Sequence, residues 1–127
     1  QTTNNNAFAG FGTQRPNMVG DPELPSHERS PGRWFDTAAF VAAAPFTIGT
    51  STRNPVRGPG YTNLDFALMR RVPFAANREI EIRAEVFNAT NTPPLLAPNT
   101  TVGAAAFGTI TSAGDPRVVQ LGVKFLF

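Results

Sequence analysis

Proline and glycine decide first what this chain cannot be. Twelve Pro and eleven Gly are distributed along its 127 residues. Proline removes a backbone donor and clashes with the preceding turn of a helix, so this density breaks helices throughout. It leaves short strands and long loops. The length suits one modest domain. No apolar run reaches the roughly 18 residues that a membrane-spanning helix needs. There is no initiator Met and no secretory leader, and Gln1 reads as the start of a processed chain or of a fragment.

The remaining composition narrows the function classes. Charged residues are only 16% against 41% hydrophobic, well under the usual quarter for soluble domains. Eleven Phe and one Tyr skew the aromatics toward the apolar. Net charge is +2 and Lys124 is the one lysine, so no basic patch of the kind that suits nucleic acid is present. Cysteine is absent, which excludes disulfides and thiolate metal sites.

Residues 1–61 read as a loop-rich segment with weak strands or a short helix. The stretch 1–14 is a loop or a loosely specified strand, and 15–33, with four prolines, is a loop. A turn of helix or an irregular segment is expected near Asp36–Ala44, where Pro45 forbids a long helix.

From residue 62 a period of two takes over, which is a strand signature. In 62–72, Leu64, Phe66 and Leu68 share one face. In 79–88, Ile80, Ile82, Ala84 and Val86 share a face, opposite Glu79, Glu81, Arg83 and Glu85. In 117–127, Val119, Leu121, Val123, Phe125 and Phe127 share a face. The connection 73–78 is short and predicts an antiparallel hairpin. Residues 89–116 form a long loop, in which "AAAFGTITS" is expected to add a short extended piece.

These strands have the dimensions of membrane strands. The last matches the roughly 9–11 residues that a tilted strand uses to cross a bilayer. Glu79, Glu81, Arg83 and Glu85 form a charge ladder suited to a wet lumen, with Asp65, Arg71 and Lys124 as cross-strand partners. A short connection alternates with a long one, as in outer-membrane barrels. Phe74 and Phe127 fall where an interfacial aromatic girdle would lie. Arg70 alone breaks the apolar face and would have to snorkel. The competing reading of the pattern is a soluble β-sandwich with one wet face.

The combination "TRNPVRGPGYTNLDFALMRRVPFAANREIEIRAEVFNATNTP" followed by "AFGTITSAGDPRVVQLGVKFLF" resembles the C-terminal barrel region of TonB-dependent outer-membrane receptors. It is closest to the Oar-like group, whose members carry a carboxypeptidase-regulatory-like domain. "RPNMVGDP" and "RWFDTAAF" extend the resemblance to about residues 15–127. The match departs at Thr92, where the family often has His, and at Pro94-Leu95-Leu96, where a Phe is common. The resemblance implies a barrel of about 22 strands, a plug and a TonB box. It also implies that Val119, Leu121, Val123, Phe125 and Phe127 form the insertion signal read by the barrel-assembly machinery.

The expected fold class is therefore all-β: antiparallel strands with long Pro/Gly-rich loops, a segment of an outer-membrane β-barrel that cannot close alone. Membrane barrels need about eight strands. The expected partners are the missing strands and plug of a parent receptor and membrane lipid, with loops 15–33 and 89–116 facing outside. A second reading uses the sheet's open edges: a processed fragment that joins other copies of itself by strand addition into an extracellular fibre.

No catalytic, metal or cofactor site is expected. His27, in "PSHERSP", has Ser26, Glu28 and Ser30 nearby, but adjacency in sequence is not a triad. A single His does not make a metal site. Glu81 and Glu85 stand about 13 Å apart along a strand, too far for a glycosidase pair. The glycosylation sequons at Asn88 and Asn99 are chance matches for a bacterial chain.

Overall fold

A computed structural model describes residues 1–3, 7 and 12–127. Among the described residues the elements are all-β: β1 (Thr2–Thr3), β2 (Thr13–Gln14), β3 (Asn17–Met18), β4 (Phe40–Val41), β5 (Phe66–Ala75), β6 (Arg78–Phe87) and β7 (Val118–Leu126), with one 3₁₀ turn at Thr37–Ala39. All pairings among the described residues are antiparallel. They form two small two-stranded sheets and one three-stranded sheet, and no closed barrel. The chain falls into two compact units. One comprises Gln1–Pro59 and Leu95–Ser112, the other Gly60–Pro94 and Ala113–Phe127.

The first unit is organised by aromatic packing. Phe35 is 2% exposed, and it meets Phe40 and Phe107 edge-on at centroid distances of 5.8 and 5.3 Å. Edge-to-face geometry sets the positive ring edge against a negative ring face. Met18, Trp34, Val56 and Val102 pack around this cluster. The helical turn expected near Asp36–Ala44 is a single 3₁₀ turn, capped by Asp36 Oδ1 accepting from the Ala38 amide at 3.1 Å. Extended backbone at Phe40 ends it, because Phe40 and Val41 pair with Met18 and Asn17.

Phe107 reaches this core from far along the chain. The Trp34 amide donates to Gly108 O at 2.8 Å and the Ile110 amide to Pro31 O at 2.7 Å. The extended piece expected in 104–112 is thus corrected over its first half. Residues 102–108 are turns, with successive i to i+3 bonds from Phe107 N to Ala104 O and Thr109 N to Ala106 O. Gly108 has φ +82, and a Cβ there would lie 2.5 Å from Thr37 Cγ2. Only glycine fits that position.

The second unit is the three-stranded meander β5-β6-β7. Its strand bounds differ from the expected 62–72, 79–88 and 117–127. β5 runs on through Pro73, and a two-residue turn at Ala76–Asn77 replaces the longer connection. Asn77 adopts φ 58, a left-handed conformation that Asn tolerates well. Pro73 is accommodated because β5 is an edge strand and a bulge begins beside it, at Phe74. β6 stops at Phe87 because Asn88 turns left-handed, at φ 49.

The pairing register sorts the side chains into two faces. One carries the rows Phe66–Val86–Val119, Leu68–Ala84–Leu121, Arg70–Ile82–Val123 and Val72–Ile80–Phe125. The other carries Ala67–Glu85–Gln120, Met69–Arg83–Gly122, Arg71–Glu81–Lys124 and Pro73–Glu79–Leu126. The outer edges of β5 and β7 pair with no other described strand.

Truncating Phe35 to Ala empties the centre of the first unit's core. A loss of about 3–5 kcal/mol is expected, read as an earlier denaturation midpoint by the fluorescence of Trp34, which packs on the same cluster.

Candidate functional site

Both faces of the three-stranded sheet are largely open, but the most covered side chain of the sheet is a charged one. Leu121, on the apolar face, is 78% exposed, while Glu81, on the charged face, is 8% exposed. Glu81 occupies the middle of the central strand, and long basic side chains fold over it. Arg71 Nε donates to its Oε2 at 2.8 Å, and Arg83 Nη2 lies 3.4 Å from its Oε1. Arg83 also reaches Glu85 Oε1, at 3.6 Å. One arginine therefore bridges the two glutamates that sequence spacing placed on one face. Charge-assisted bonds of this kind are the strong ones.

Of the charge ladder expected from sequence, Arg71, Glu81, Arg83 and Glu85 come together. Glu79 and Lys124 share the face and flank the group in register, but make no ion pair within 4.0 Å among the described residues. Asp65 does not join the ladder. It precedes β5, and its Oδ1 accepts from the Asn88 amide at 2.9 Å and from Asn63 Nδ2 at 3.0 Å. Beside Arg83, Gly122 leaves open space. A shallow hollow of about 280 Å³ is lined there by Glu81, Arg83, Gly122 and Lys124. The polar groups of the charged face are carboxylates, guanidinium groups, the Lys124 ammonium and the Gln120 amide.

Val119, Leu121, Val123 and Phe125 all lie on the apolar face of β7, exposed in this chain, and Phe127 follows at the hairpin end of the sheet. His27 is exposed and 3.8 Å from Glu28. Among the described residues no group of acidic, His or Cys side chains has the arrangement of a metal site.

The feature that sequence reading missed is a clasp at the loop end of the sheet. Asn88 is buried, at 6% exposed. Its Nδ2 donates to Asp115 O at 3.0 Å and its Oδ1 accepts from the Thr92 amide at 3.0 Å. The Ala89 amide donates to Leu64 O at 2.7 Å, and Asn91 Oδ1 accepts from the Arg117 amide at 3.1 Å. Asn88 and Asn91 both have positive φ, at 49 and 53. The "FNATN" segment thus ties the exit of β6 to the entry of β5, through Leu64 and Asp65, and to the entry of β7, through Asp115 and Arg117. Its only sequence signal is two Asn three apart after a strand, residues that tolerate left-handed backbone and bond locally. The Asn88 sequon is consumed by this clasp.

A family model described as an outer membrane beta barrel domain matches residues 1–120. No curated protein and no solved structure matches the chain.

Two measurements check this geometry. Asn88→Ala loses a buried donor and acceptor and puts Ala in left-handed backbone, so about 2–4 kcal/mol of destabilisation is expected in urea unfolding of the folded protein. Glu81→Leu alone leaves Arg71 and Arg83 facing an apolar side chain. It should lower the melting temperature more than the double change Arg71→Met with Glu81→Leu, a positive coupling in a double-mutant cycle.

Proposed function

The chain belongs to the outer membrane beta barrel domain family, and from that premise we propose that it is the C-terminal wall segment of a TonB-dependent receptor of the Oar-like group. A barrel-wall segment in the bacterial outer membrane is what the family establishes. The finer reading draws on the motifs "RGPG", "FNATN" and "AGDPR" in order, two of which supply the clasp at the loop end of the sheet.

The observation that carries the proposal is the uncovered apolar face of the sheet, opposite a face whose buried centre is Glu81. In water, an exposed face bearing Phe66, Leu68, Ile82, Leu121, Val123 and Phe125 would forgo about 25 cal/mol for each Å² of apolar area left uncovered. Against lipid that cost vanishes. The opposite face, with Glu81 between two arginines, then borders a wet lumen. Strands of nine or ten residues match the thickness to be crossed. The two-residue turn at Ala76–Asn77 belongs on the periplasmic side, and the excursion between β6 and β7 on the outside.

In this role the chain is wall and not catalyst. It needs no cofactor and no nucleic acid. Its partners are the strands that complete the sheet at the edges of β5 and β7, the plug, and lipid. The solutes passing along the charged face are those admitted by plug and loops. β7, with Val119, Leu121, Val123, Phe125 and Phe127, serves as the insertion signal. The two open edges also favour a second reading, in which copies of the chain add strand to strand into an extracellular fibre.

Purification separates the readings. As barrel wall, the protein stays in solution only with detergent and inserts into bilayers with the rest of its receptor. Regular filaments in plain buffer, seen by negative-stain imaging, would instead establish the fibre. Within the receptor, Leu121→Asp or Phe127→Ala should reduce the heat-modifiable, assembled fraction severalfold. Unchanged assembly in both variants removes the insertion-signal role.

A further inference from the structure

The apolar face holds two cations that the wall does not need. Its twelve paired positions are otherwise Phe, Leu, Val, Ile and Ala. Arg70 stands in the row Arg70–Ile82–Val123, exposed, with Leu68 and Val72 on either side along β5. Arg78 opens β6 and shares the face of Ile80 and Ile82 by the alternation of the strand. It is exposed at the hairpin end, opposite Ala75. The two arginines bracket the row Val72–Ile80–Phe125 from below and above. Neither makes an ion pair within 4.0 Å among the described residues, and the paired positions of that face offer no carboxylate side chain.

Depth matters to what they bind. The exposed Phe74 and Phe127 mark the hairpin end, which is the membrane interface in the barrel reading. Arg70 lies four residues from Phe74, about 13 Å along the strand, or about 10 Å in depth at a tilt near 40°. Arginine carries its charge on a long apolar stem and keeps the head in the polar layer. A lipid-facing arginine without a partner is destabilising, more so toward the midplane. Guanidinium groups meet phosphate in paired, parallel hydrogen bonds.

We propose that Arg70 and Arg78 together bind the headgroup phosphate of one phospholipid in the periplasmic-side leaflet, with its acyl chain lying over Val72, Ile80 and Phe125. The site rests on the barrel-wall reading. Arg78 takes the phosphate at the interface and Arg70 reaches up to it from within the apolar band. The charge of the pair is complemented by the one anion that every such leaflet supplies.

The test is native mass spectrometry of the whole receptor, extracted in mild detergent. Wild type should retain a phospholipid adduct. Arg70→Leu and Arg78→Gln should each reduce adduct occupancy about ten-fold, the loss of about 1.4 kcal/mol of binding. Arg70→Lys should keep most of it, and Leu68→Ala, one row away, all of it. Equal adduct in wild type and Arg70→Leu overturns the proposal. So does an Arg70→Leu receptor that fails to assemble while Arg70→Lys assembles with an adduct no greater than that of Arg78→Gln, which assigns Arg70 to a carboxylate on a neighbouring strand. A receptor that needs no detergent at all overturns the barrel reading itself, a result visible before any adduct is weighed.

Discussion

A strand paired on both edges cannot slip, and β6 is in that position, with β5 on one side and β7 on the other. Because side chains alternate, a one-residue slip would exchange its two faces entirely. Ile80, Ile82, Ala84 and Val86 would then face the barrel interior, and Glu79, Glu81, Arg83 and Glu85 the lipid. The cost of exposing that row of charges to hydrocarbon is what holds the register. The ion pair of Arg71 with Glu81 follows from it, since it forms only while Arg71 stands opposite Glu81. Edge strands β5 and β7 inherit their orientation from the same constraint.

The two ends of the sheet are finished by the same residue type used differently. At the hairpin, Asn77 lets the chain reverse in two residues. At the opposite end, Asn88 and Asn91 stop β6 and spend their side chains on the backbone of the neighbouring strands' entries. A long loop can leave the sheet there without leaving frayed backbone groups behind. Variation in such a loop is tolerated when its anchors are fixed, which is how a common wall carries different outer surfaces.

Much of the sheet was legible because its information is local. The alternation of 79–88 sorts Glu79 to Val86 as the pairing register does, and the cross-strand match of Arg71 with Glu81 follows once a hairpin is assumed. Asp65 was misread because it falls in phase with the charged positions. Its actual role depends on where β5 begins, and that is set by Asn88, which is distant in sequence. The turns of 102–108 were unreadable for a related reason. An Ala-rich run has no pattern of its own, and Phe107 is drawn to Phe35 and Phe40 by contacts across some seventy positions. The division of the 89–116 loop between two units is likewise a nonlocal fact.

The bulge at Phe74 acts beyond its own neighbourhood. It adds one residue to β5 with none added to β6, so any strand bonded to the far edge of β5 begins its count from a displaced rung. In a sheet that closes on itself such offsets accumulate as shear, and shear with strand number sets the tilt and the diameter. A single extra phenylalanine beside a turn thus contributes to the diameter of the barrel.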